Sequence, residues 1–339
     1  MRRDRSATAD LKRHQFSTEI KNNLKNLCHY ENVHGLLAIV ENWAVIAAAI
    51  CAAIAVPVLI PLSVIMIGAR QRALATLLHE ASHRTLFDPK GKLGRALNFA
   101  AGTVFSGFLI FQTYGAYTRS HVGEHHPYLG DESRDPDIQY YVQQGLMTRA
   151  GREKFLWRHF IPTVLGVKTL RYAWFLFKNR LLPGDLSKRS PAEKWEYALF
   201  AAFWAGLLWA IGHFGLWYYF LVFWLLPYLY PFQVIGWIIE VCEHYPLTQD
   251  YDEDLYMSRN RLGSRLENFH LIHHLNPAVP FWRLPEAHQI LMEDASYARA
   301  AGLSGGIFTR GGQGGQPILR ALFTGSRPNH FVARKEKQA

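Results

Sequence analysis

The sequence predicts an all-α integral membrane protein: four transmembrane helices arranged as two hairpins, with a cytoplasmic helical cap that carries the histidine clusters. Residues 36–78 and 197–239 are each 43 residues long; the first holds only Glu41, Arg70 and Arg72 as charges, and the second holds none. Histidines gather just past the ends of these stretches rather than within them. The composition agrees, with 49% hydrophobic and 14% aromatic residues. A mean hydropathy of only −0.06 requires a sizeable polar portion beside whatever is buried in lipid.

As one helix, each long stretch would run about 65 Å at ~1.5 Å per residue, roughly twice the hydrocarbon thickness of about 30 Å, so each is read as two spans. Pro57 and Pro61 mark the turn of the first hairpin. Trp217, Tyr218 and Tyr219 mark the turn of the second, as aromatic residues do at a membrane interface. The expected spans are about 36–56, 57–78, 197–216 and 218–239. Four spans leave both termini on one side. Arg2, Arg3, Arg5, Lys12, Arg13, Lys21 and Lys25 assign that side to the cytoplasm.

Residues 96–116 are uncharged as well, but Asn98, Thr103, Ser106 and Gln112 interrupt them. A crossing there would also put the histidines before it and those after it on opposite faces of the membrane. The stretch is therefore expected to be re-entrant or covered by protein. Residues 145–195 mix Trp157, Phe160, Tyr172, Trp174, Phe175 and Phe177 with Lys and Arg, which suits interfacial helices. Around the 36–295 membrane domain lie a basic segment, 1–35, and a flexible tail, 296–339, whose glycines lack phosphate-loop spacing.

The net charge of +10 is assigned to anionic lipid, because no basic helix or recognised motif supports a nucleic-acid partner. Three cysteines, Cys28, Cys51 and Cys242, form no disulfide framework or iron–sulfur set. No G-x-G-x-x-G follows a strand, so any reducing equivalents come from another protein.

Nine of the sixteen histidines fall in His79-Glu-Ala-Ser-His83, His121-Val-Gly-Glu-His125-His126, His270-Leu-Ile-His273-His274, and the isolated His244 of Glu240-Val-Cys-Glu243-His244. Residues three or four apart share a helix face, so each cluster offers two or three imidazoles to a common centre. Imidazole suits Fe, Zn, Cu and Ni alike. Eight or nine ligands exceed what one zinc uses and imply two ions of higher coordination number. His14, His29, His34, His159 and His330 read as surface or core residues, and His213 lies at the far turn of its hairpin. His79–His83 also matches the H-E-x-x-H of zinc proteases, but that reading leaves the other clusters without a purpose. A histidine-rich transporter would need its ligands inside the spans.

HEASHRTLF (79–87), YTRSHVGEHHPYLGDESRDPDI (117–138) and NFHLIHHLNPAVPFWRLPEAH (268–288) resemble the three histidine boxes of the membrane fatty acid desaturase superfamily and their continuations, over roughly residues 35 to 295. The resemblance implies two irons held by His79, His83, His121, His125, His126, His270, His273 and His274, with His244 similar to the extra ligand some members place ahead of the third box. The second box is H-x-x-x-H-H rather than the commoner H-x-x-H-H. Glu240, Glu243, Asp131, Asp135, Asp137 and Asn268 are candidates to support the ligands; Glu132 shares that acidic stretch. The reaction implied is dioxygen-dependent desaturation of a fatty-acyl or related lipid chain, with hydroxylation or ketolation as the alternative. A ferredoxin, rubredoxin or cytochrome would supply the electrons.

Overall fold

The computed structural model describes residues 15–129, 131–146, 148, 151, 153–182, 184–244, 269–303, 308, 310 and 317–324, and the regular structure among them is helical. Asn268 lies outside the described residues.

Helix α1 (Thr18–Asn26) starts where the Ser17 hydroxyl accepts the Ile20 N–H. Helices α2 (Asn32–Ala55) and α3 (Ile60–His83) form the first hairpin, reversing through a 3-10 turn at Pro57–Leu59. Proline suits a first helical turn, where its missing N–H would have no partner. Helix α3 runs five residues beyond the expected end of its span, so the first histidine cluster occupies that helix's own last turn. Arg84, with φ 60°, stops it.

Asn32–Ala55, Pro57–His83, Gly91–Ile110, Pro191–His213 and Trp217–His244 are long and apolar enough to cross a membrane. Leu36, Val40, Ile54, Leu62 and Ile65 point outward along the first hairpin.

The chain between the first two clusters leaves and returns. Helix α4 (Gly91–Gly102) gives way to a tight turn at Gly107–Ile110 and one helical turn at Tyr114–Tyr117. The His79 and His121 rings are then 4.5 Å apart. Asn98, Thr103, Ser106 and Gln112, the polar residues of this segment, are all buried. Asn98 accepts the Phe87 N–H and donates to the carbonyls of Phe87 and Gly94. The loop is also held from the second hairpin. Trp204 and Trp224 donate their indole N–H groups to Phe108 and Leu109, and the Glu196 carboxylate accepts the N–H groups of Tyr114 and Gly115. These bonds satisfy the loop's non-helical backbone within the protein. Asn98→Ala removes the side-chain partners of the Phe87 N–H and carbonyl, and is expected to lower stability by about 1–3 kcal/mol per unsatisfied group. A lower thermal midpoint of the detergent-solubilised protein checks this.

Helix α5 (Pro136–Gln143) begins beyond the second cluster, capped by Asp135. Next come turns at Leu156–Phe160 and Ile161–Val164 and then α6 (Thr169–Arg180), with Trp157, Leu165, Val167, Leu170 and Trp174 exposed. Helix α7 (Pro191–His213) opens on a reciprocal Ser190/Glu193 capping box. Gly215, at φ 66°, turns the chain into the helical run Trp217–His244. Two π-turns, Leu221–Leu225 and Tyr228–Phe232, absorb Pro227 and Pro231 before α8 (Gln233–His244).

Helices α9 (His270–Leu275) and α10 (Leu284–Leu291) follow. The expected flexible tail differs from what is found in part of its length. Helix α11 (Ala295–Leu303) buries Tyr297 and Ala301, and α12 (Ile318–Thr324) buries Ile318 and Leu319 against Cys242. The glycines between them drew the sequence reading toward flexibility, but Ile318, Leu319, Leu322 and Phe323 supply an apolar face that packs.

Candidate metal centre

Nine histidines from four segments meet where α3, α8, α9 and the 118–126 turn converge. His79, His83, His121, His126 and His273 place one ring nitrogen each within 4.8 Å of one another. His125, His244 and His274 form a second such group, and His270 joins it with its Nε2 2.8 Å from His244 and 3.0 Å from His274.

The division does not follow the sequence clusters. Residues 118–125 form a π-helix, in which the backbone bonds run five residues apart. His121 and His126 therefore face the same way, with their Nε2 atoms 3.1 Å apart. His125 turns instead to His244, at 3.1 Å. The extra residue of H-x-x-x-H-H is thus absorbed by the wider helical turn. In the third cluster His270 and His274 share a helix face and a group, whereas His273 crosses to His126, at 3.2 Å. The doublets His125-His126 and His273-His274 each contribute to both groups.

The donor set fits a pair of cations. Six Nε2···Nε2 separations lie between 2.8 and 3.3 Å. Neighbouring corners of an octahedron with metal–nitrogen bonds of about 2.1 Å are about 3.0 Å apart. Hydrogen bonding cannot account for them: His244 Nε2 faces His125, His270 and His274 at once, and one ring nitrogen carries at most one proton. Burial holds His121, His270, His273 and His274 well below the ordinary imidazole range, keeping them in the neutral, metal-binding form.

The carboxylates differ in their roles. His125 Nδ1 donates to Asp135 Oδ1 at 3.0 Å and lies 3.1 Å from Asp137 Oδ2. Burial lowers the His125 pKa, but the two carboxylates outweigh burial and raise it to about 9. Burial pushes Asp137 up to about 6 against the opposing pull of His125 and Arg180. Glu243 approaches His270 Nδ1 to 3.7 Å and Glu240 approaches His244 Nδ1 to 3.8 Å. Asp131 lies apart, occupied by Ser133 and Arg134 in an outer turn. Arg180 carries no sequence signal among so many basic residues, yet it is buried at the site, donating to Ser120 Oγ at 2.6 Å and lying 3.6 Å from Asp137. Glu80, which in a zinc protease would face a metal-bound water, is 1% exposed and accepts from Thr85 Oγ1 and the Phe281 N–H.

The described residues thus combine helices long and apolar enough to cross a membrane with a nine-histidine cluster that could hold metal. Residues 42–302 match the family model for fatty acid desaturase. The chain is also 37% identical over 322 residues to a dihydrorhizobitoxine desaturase of Bradyrhizobium elkanii, covering 91% of this chain and 89% of that protein. It belongs to the fatty acid desaturase family, as its histidine boxes led us to expect.

Proposed function

We propose that this protein is a dioxygen-dependent, di-iron membrane desaturase that introduces a double bond into a fatty-acyl or related chain. The observation that carries the reading is the sorting of nine imidazoles into groups of five and four, linked by the two histidine doublets. Bound iron supplies the oxidation of an unactivated C–H unit that side chains alone cannot attack. Overall, a –CH2–CH2– unit, dioxygen, two electrons and two protons give –CH=CH– and two waters. Asp135 and Asp137 fix the His125 ring through Nδ1, leaving Nε2 free to bind, and Glu243 is placed to do the same for His270. Electrons come from a separate ferredoxin, rubredoxin or cytochrome.

The topology proposed with this function has four crossings, α2, α3, α7 and Trp217–His244, with Gly91–Ile110 as a re-entrant loop and the histidines and both termini on the cytoplasmic side. The return of the chain to His121 beside His79 supports it.

Metal analysis of the detergent-purified protein, reconstituted with ferrous iron under reducing conditions, tests the reading. Two irons per chain are expected. A single tightly held zinc would overturn it. A product two hydrogens lighter than the substrate identifies desaturation, and one oxygen heavier identifies hydroxylation.

A further inference from the structure

Between the second cluster and α6 the chain leaves an apolar tip on the outside of the helices. The helical turn Ile161–Val164 ends at Gly166, whose φ of 81° reverses the chain toward α6. The Tyr230 ring lies against Gly166, 3.2 Å from where a Cβ would sit, and its hydroxyl donates to the Val164 carbonyl at 2.6 Å. Leu165 and Val167 on the tip, and Leu170 and Trp174 on the first turns of α6, are exposed.

Tyr230 fixes the depth of that tip. It lies 13 residues after Trp217, which marks the far turn of the second hairpin, hence about 20 Å along the helix at ~1.5 Å per residue. On the proposed four-crossing topology this is roughly two-thirds of the way through a hydrocarbon core about 30 Å thick. The exposed apolar side chains therefore face acyl chains close to the cytoplasmic boundary, a level that suits Trp174.

Three cations sit beside the tip. Lys168 Nζ donates to the Arg158 carbonyl at 2.5 Å and to His159 Nδ1 at 2.9 Å. Burial, and then the Lys168 charge, lowers the His159 pKa to about 4, so the ring is neutral and accepts. An ammonium has three N–H donors, and these two bonds leave one for a ligand. Burial and the like charges of Arg171 and Arg158 hold the Lys168 pKa below the ordinary lysine range. Among the described residues no carboxylate forms an ion pair with any of the three.

We propose that Arg158, Lys168 and Arg171 bind the headgroup phosphate of a net-anionic phospholipid, whose acyl chains lie over Leu165, Val167 and Leu170. The proposal rests on the four-crossing topology. A lipid fits where an acidic soluble protein does not, because the apolar tip beside these cations lies below the membrane surface.

Native mass spectrometry of the full chain in detergent, titrated with phosphatidylglycerol and phosphatidylcholine of identical acyl chains, tests it. The first phosphatidylglycerol should bind at least about 10-fold more tightly than the first phosphatidylcholine, since each basic side chain at the surface adds to the affinity for anionic lipid. Arg158→Gln/Arg171→Gln, at two exposed positions, should bring that ratio to within about twofold. Lys90→Gln/Lys92→Gln, the same charge change at another exposed pair, should leave it unchanged. Equal binding of the two lipids, a preference that survives Arg158→Gln/Arg171→Gln, or equal loss in both double variants overturns the proposal. Quenching of Trp157 and Trp174 fluorescence by spin-labelled lipid in vesicles, measured against Trp157→Phe/Trp174→Phe, reads the depth of the segment separately. Quenching without a lipid preference overturns the site and spares the topology, whereas no quenching overturns both.

Discussion

Alanine in place of His126 is expected to take one metal from the protein and leave the other. His126 Nε2 sits 3.1 Å from His121 and 3.2 Å from His273, so its loss opens the group of five. The adjacent change, His125→Ala, should instead open the group built around His244, because the rings of these two neighbours turn to different sides. Each single variant should retain about half of the wild-type metal, and the double variant almost none. Product formation should fall by more than about 100-fold in all three, since even the outer partners of metal ligands are worth about 10–100-fold. His159→Ala is the contrast: this buried histidine meets Lys168 Nζ at 2.9 Å and should leave both metals in place. Complete metal loss in either single variant would mean one indivisible centre rather than two groups.

Asp137→Asn is expected to have two separable effects. Removing the charge that faces His125 Nδ1 should weaken metal binding by about 10–100-fold, read from competition with a chelator. It also leaves the buried Arg180 guanidinium without its carboxylate at 3.6 Å, and stranding one member of a buried pair costs about 3–5 kcal/mol. Adding Arg180→Gln should restore much of the thermal stability and none of the metal affinity. Asp131→Asn, six residues earlier in an outer turn, should change stability by no more than about 0.5 kcal/mol. Equal effects at Asp131 and Asp137 would contradict the placement of these carboxylates.

The two hairpins were legible because long uncharged runs admit few alternatives, and the histidines because nothing but ligation gathers them so densely. Their partition was not legible. It depends on a π-helix at 118–125, and a one-residue change in helical repeat leaves no mark on hydrophobic periodicity. The acidic stretch was ambiguous for a similar reason: Asp131, Asp135 and Asp137 differ only in where a short turn aims them. Glu196 and Arg180 act across long sequence separations, Glu196 capping the turn at Tyr114 and Arg180 facing Asp137. Nothing local announces such contacts. Asn98, Thr103, Ser106 and Gln112 did betray the returning loop, since four polar residues in an otherwise apolar run have to find protein partners.

Because each group mixes histidines from the first half of the chain with histidines from its end, the order of synthesis matters. His79 leaves the ribosome almost two hundred residues ahead of His273, an interval of about 10–40 s at ~5–20 residues per second. For the earlier part of that time the loop between the first two clusters also waits for Glu196, Trp204 and Trp224 to anchor it. On the proposed di-iron reading neither group can close on an ion before translation is nearly finished, and a nascent chain stalled before residue 270 should emerge without metal.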